Sequence, residues 1–152
     1  MAANFFYSFI QAREELGRAI EGASAEELWT KPFGQASAGF HIRHMAGAAE
    51  RLGTYLKDEP LSTEQLDALK REAEPGASAG ELMAEWEVRV QRLERYVRAI
   101  DPEALRLERR VGRLGLPTTV IGLIVHIAEH SQRHLGQAIT TLKMVRAMRN
   151  AG

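Results

Sequence analysis

Five histidines occur in the 152-residue chain, and they fall in two groups: His41 with His44, and His126 with His130 and His134. Histidine is a common metal ligand when neutral, and its charge changes near physiological pH. On a helix, residues four apart differ by about 40° around the axis and stack one turn above the other. Two imidazoles so placed can share one ion, as His-x3-His pairs do in zinc proteases. The second group offers this pair twice, as His126 with His130 and as His130 with His134.

Hydrophobic periodicity distinguishes the two pairs. Leu123, Ile127, His130, His134, Ala138 and Leu142 fall near one helical face, while His126 turns towards its edge, which favours His130 and His134. A third nitrogen must come from another helix. His44 lies on a stripe with Phe40, Gly47, Ala48, Leu52 and Tyr55, and the two small residues leave room for an ion and a ligand. Gly47 costs roughly 0.5–1 kcal/mol relative to alanine in a helix interior, so it asks for a reason; tight helix packing is the alternative to a ligand.

Three neutral imidazoles leave the charge of a divalent ion uncompensated and at least one coordination position open. An open site of this kind activates a water or a thiol. Structural zinc sites are instead closed by four ligands, commonly thiolates, and this chain has no cysteine. A pH-sensing histidine cluster in a helical core is the competing reading of the same spacing. His41 and His126 are assigned to outer or core positions. Gln137, one turn beyond His134, is a candidate orienting amide or a helix–helix hydrogen bond, and Glu129 is a candidate general base or a solvated surface residue. Trp29, Phe40, Tyr55 and Trp86 could wall a pocket or belong to the core.

Four long helices must position these residues. The first is expected over about Asn4–Ile20, with Phe5, Phe9, Leu16 and Ile20 inward; the second over Gly39–Lys57, capped by Ser37; the third from the Ser78–Glu81 capping box to Ile100; and the fourth over Thr119–Met148. Ser24 with Glu27, Ser62 with Gln65, and Asp101-Pro102 start short helical turns in the connections. The stretch from Thr30 to Gly39 reads as a loop, and a brief strand signal sits near Val111–Leu116. This pattern is that of an all-α, four-helix bundle with short extra turns, forming a single domain over residues 1–152.

Composition narrows the function. A hydrophobic content of 45% supports one packed core, and 20 basic residues balance 20 acidic ones, so no net field selects nucleic acid or an anionic membrane. Arg106, Arg109, Arg110 and Arg113 are interleaved with Glu103 and Glu108 and read as a solvated connection. Val120–Val125, the longest apolar run, is far short of the ~20 residues of a membrane span, and the N-terminus reads as a helix and not a signal peptide. A cytoplasmic protein is expected. Phe5, Phe6 and Phe9, on more than one face of the first helix, hint at a homodimer contact.

Two segments, HIAEHSQRHLGQ at 126–137 and ELWTKPFGQASAGFHIRHMAGAAERL at 27–52, resemble the DinB/YfiT-like superfamily of metal-binding four-helix bundles. The first is similar to the family's His-x3-His-x-Gly-Gln ending, and the second to its Trp and Pro before a small-residue loop and a histidine-bearing helix. Leu135 stands where many members carry Arg. The resemblance implies that His44, His130 and His134 bind zinc or nickel. It also implies a range of functions, since some relatives are thiol S-transferases using bacillithiol or mycothiol and others are maleylpyruvate isomerases that need glutathione or a similar thiol. The expectation is therefore a metal-dependent enzyme acting on a small-molecule substrate, by thiol-dependent transfer or by hydrolysis. The alternative is a non-catalytic, metal-binding stress-response bundle acting through dimerisation or a protein partner.

Overall fold

Serine side chains with a Glu or Gln three residues on begin three of the helices, for a local reason: each pair satisfies two backbone N–H groups that no helical carbonyl can reach. Such reciprocal boxes start α2 (Ala25–Trp29) from Ser24 and Glu27, α4 (Thr63–Lys70) from Ser62 and Gln65, and α5 (Ala79–Arg98) from Ser78 and Glu81. Ser37 caps α3 (Ala38–Leu56) by accepting from the Phe40 N–H, and Thr119 caps α6 (Val120–Asn150) by accepting from the Gly122 N–H. With α1 (Ala2–Ile20), these complete the α-helices of the computed structural model, which describes residues 2–151 and the side chains of residues 6–151; single 3-10 turns lie at Pro32–Gly34 and Pro102–Arg106.

The long helices α1, α3, α5 and α6 form a four-helix bundle in which α3 packs on both α5 and α6, and α1 packs on the same two from the other side. Each gives an apolar stripe to one core: Phe6, Phe9, Ala12, Leu16 and Ile20 from α1; Ile42, Met45, Ala49, Leu52 and Leu56 from α3; Leu82, Trp86, Leu93 and Val97 from α5; Leu123, Ile127, Leu135, Ala138 and Leu142 from α6. Phe5, expected on the inner stripe of α1, lies outside the residues whose side chains are described. Phe6 and Phe9 are buried within the chain, Phe9 against Trp86 at 5.8 Å between ring centroids, so those two are core residues; Tyr7 and Ile10 are exposed apolar residues of α1. No helix among the described residues is long and apolar enough to cross a membrane.

The connection before α6 extends further than its expected form. The strand signal sits near Val111–Leu116, and strands β1 (Glu108–Val111) and β2 (Leu116–Thr119) extend outward from the two ends of that stretch, with Val111 paired to Leu116. Gly112 and Gly115, at φ +73° and +59°, close the turn in a backbone region that side chains disfavour. The strands, ERRV and LPTT, lack apolar alternation, which hides them from a hydrophobic pattern. Arg109 donates to the Leu56 carbonyl and so ties this hairpin to the end of α3.

Candidate metal centre

Along α3 from His41 to His44 the facing residues on α6 run backwards, from His134 to His130, as an antiparallel pair of helices requires. The ring centroids of His44 lie 5.2 Å from those of His130 and 4.5 Å from those of His134, and His130 and His134 are 4.5 Å apart. One ring nitrogen from each of the three lies within 4.8 Å of the others, close enough to converge on a single ion. The structure thus brings His44, His130 and His134 together. All three are half-buried, at the edge of the core stripe that runs through Ile127, Ser131 and Leu135, and not at its centre.

The protonation states suit a cation. Burial holds the His130 ring down at about 4 and the His134 ring at about 3, with the other histidines of the cluster opposing a further positive charge. Burial, reinforced by His44, lowers His41 as well. These rings are neutral at pH 7, which is the form that donates a lone pair to a metal. His130 Nδ1 is also buried with no hydrogen-bond partner among the described residues. An unmet buried polar atom of this kind costs about 1–3 kcal/mol, and coordination to an ion would remove that cost.

Two of the three histidines are braced by other side chains. His44 Nδ1 lies 2.6 Å from Glu72 Oε2, and His134 Nδ1 lies 3.1 Å from His41 Nδ1. A ring whose Nδ1–H donates keeps its lone pair on Nε2, which sets the nitrogen that faces an ion. Glu72 therefore fixes His44 when it accepts, and His41 does the same for His134 in the tautomer that leaves its Nδ1 to accept. Phe40, on the first turn of α3, stacks on His44 at 5.4 Å and meets His41 edge-on at 5.2 Å.

Glu72 is the residue that sequence reasoning missed. It follows α4, only 3% exposed, and its second oxygen accepts from Arg51 Nη1 at 2.6 Å. A β-carbon on Gly47 would collide with Glu72 Oε1 and stand 2.7 Å from Arg51 Nη1. The space beside Gly47 is thus filled by an ion pair, in place of the ion with its ligand or the helix packing that its small size suggested. The available signal was an arginine at Arg51, two turns beyond His44 on the same helical face, which needs a carboxylate if it is buried.

The remaining candidates lie apart from this arrangement. Gln137 is exposed on α6. Glu129 is exposed and lies 3.8 Å from His126 Nδ1 and 3.9 Å from Arg133. His126 touches His130 edge-on at 5.8 Å, with its side chain 40% exposed. Among the four expected aromatics, Trp86 is core, Tyr55 packs against the core, and Trp29 donates to the Ala77 carbonyl at 2.8 Å. A groove of about 710 Å³ runs between α3 and α5, but Arg43, Glu50, Glu85 and Arg89 on its walls pair with one another, at 3.2 Å for Arg89–Glu50.

Comparison with known proteins agrees with the fold. The sequence model of the DinB superfamily matches residues 8–138. YfiT from Bacillus subtilis, described as a probable metal-dependent hydrolase with an unusual four-helix bundle topology, is 16% identical, with a TM-score of 0.70 over 97% of this chain and 87% of its own. A DinB-like protein from Bacillus cereus is 18% identical, with a TM-score of 0.66 over 97% of this chain and 91% of its own. No curated protein sequence matches the chain.

Proposed function

The chain belongs to the DinB superfamily, and from that premise we propose that it is a divalent-metal-dependent enzyme acting on a small molecule. His44, His130 and His134 would hold the ion, zinc or nickel. The observation that carries this reading is the convergence of three nitrogens within 4.8 Å, two of them on rings, His130 and His134, that burial keeps unprotonated. The description of YfiT as a probable metal-dependent hydrolase supports it.

A divalent ion held by three imidazoles supplies a Lewis acid that lowers the pKa of a water or a thiol at its open position. The protein's own residues supply orientation. Glu72 and His41 brace two of the ligating rings, and Phe40 stacks on one face of His44 and restricts its rotation. The substrate class that suits this site is a low-molecular-weight thiol with its electrophilic partner, or a hydrolysable small molecule. A homodimer formed in the cytoplasm fits the same reading, with Tyr7 and Ile10 as exposed apolar residues of α1.

Elemental analysis of protein purified without a histidine tag tests the site. The wild type is expected to carry about one equivalent of zinc or nickel, and the His130→Ala/His134→Ala variant close to none. Ion saturation also stabilises the fold, by about 2.7 kcal/mol at a hundred times Kd. Equal metal content in the two proteins would end the proposal.

A further inference from the structure

The segment between α4 and α5 is held against α2 and α3 by side chains of three residues. Arg43 Nη1 donates to the Glu74 carbonyl at 2.7 Å, Trp29 Nε1 donates to the Ala77 carbonyl, and Arg51 Nη1 donates to the Glu72 carboxylate. Arg43 also lies over the Trp29 ring, 4.7 Å from its centroid. A connecting segment needs no such anchorage to reverse the chain, since Glu74-Pro75-Gly76 would do that alone. The anchorage does place one buried carboxylate oxygen 2.6 Å from His44.

We infer that Glu72 is a positioning residue for the metal centre: held by Arg51, it selects the Nδ1–H tautomer of His44 and leaves Nε2 to bind a divalent cation. Each carboxylate oxygen has one donor to satisfy, Nη1 of Arg51 on Oε1 and Nδ1–H of His44 on Oε2. Arg51 carries no acceptor, so its side of the carboxylate can only receive a hydrogen bond. The guanidinium also balances the buried negative charge, and Gly47 leaves the space in which the two groups meet. Partners of this kind, behind a metal-bound histidine, typically change metal affinity 10- to 100-fold.

The inference rests on the metal reading of the three histidines, and the chemistry of glutamine provides a test that separates the two. In Glu72→Gln the single amide oxygen turns to the charged Arg51, and the amide NH2 then faces His44 Nδ1. That nitrogen must now accept, so the proton moves to Nε2 and the lone pair is lost to an ion. In Arg51→Met/Glu72→Gln the competing donor is gone, the amide oxygen can turn back to His44, and the Nδ1–H form returns. The double variant leaves no unpaired buried charge, which protects the fold.

Zinc affinity is read by competition with a chromophoric chelator, and the His44 tautomer by imidazole 15N shifts in the metal-free protein. Glu72→Gln is expected to weaken zinc binding 10- to 100-fold and to move the His44 proton to Nε2. The double variant is expected to recover both in part. A merely structural role would not produce inversion followed by rescue. Zinc affinity within threefold of wild type in Glu72→Gln, or a double variant no better than the single one, would overturn the inference. If the wild type takes up neither zinc nor nickel, the metal reading fails; the metal-free tautomers then still decide whether Glu72 positions His44, with an unaltered Nδ1–H form in Glu72→Gln counting against it.

Discussion

His44 and His130 face each other across the seam between α3 and α6, yet their surroundings differ. The His44 ring is backed by a buried carboxylate and an arginine, whereas His130 has a buried nitrogen with no partner among the described residues. His134 lies between these cases, with a neutral partner in His41. The α3 side of the centre is therefore built by hydrogen bonds before any ion arrives, while on the α6 side His130 Nδ1 is left unmet. Preorganised ligands limit the ordering cost of binding, and a buried polar atom without a partner gains once a partner reaches it.

The largest expected effect attacks the braced side. Arg51→Ala leaves Glu72 buried without its counter-charge, and removing one partner of such a pair costs about 3–5 kcal/mol. The urea midpoint of the metal-free protein should fall accordingly. Arg51→Met/Glu72→Gln, which removes both charges, should recover most of the loss. A midpoint unchanged in Arg51→Ala would mean that water reaches the pair, and the contrast between the two sides would then lose its physical basis.

An intermediate effect comes from protonation and concerns mainly the α6 side. In the unfolded chain a histidine takes its proton near pH 6.5. In the folded chain His130 does so only at about 4 and His134 at about 3, and His41 is also lowered, because burial disfavours their charged forms. Below pH 6.5 the unfolded state therefore binds more protons, and stability falls with pH until the folded rings protonate too. Above pH 6.5 these groups contribute no pH dependence. Carboxylates also lose their favourable contacts in acid, so the informative measurement is a difference. The drop in urea midpoint from pH 7 to pH 4.5 should be smaller in His130→Ala/His134→Ala than in the wild type. Parallel curves would show that solvent reaches the rings and that their burial exerts no penalty.

The sequence made these two sides unequally legible. Helices with capping boxes and apolar stripes were readable because their causes are local, and His-x3-His is a spacing along one helix. His44 was identifiable from its stripe and from a family resemblance that covers the same residues. Glu72 was not, because its role arises from α3 and the segment after α4 meeting in space, with Arg51 21 residues away along the chain. Gly47 pointed to the right place for the wrong reason, since a missing side chain marks a close approach without saying what approaches. The hairpin before α6 was legible only in part because its strands are polar and only its glycines mark the turn.

The smallest expected effect tests where the α6 side ends. His126 continues the i, i+4 series that gives His130 and His134, so spacing alone makes it as good a ligand as either. Its ring meets His130 edge-on at 5.8 Å between centroids, its side chain is 40% exposed, and it lies near Glu129, itself in solvent. A solvated imidazole near an exposed carboxylate contributes little to stability and has no enforced direction. His126→Ala should change stability by less than about 0.5 kcal/mol and leave zinc affinity within about threefold. A tenfold or greater loss of affinity would make His126 a fourth ligand. The open position of the centre would then be closed by the protein, and a site that excludes substrate would fit a structural ion better than a reactive one.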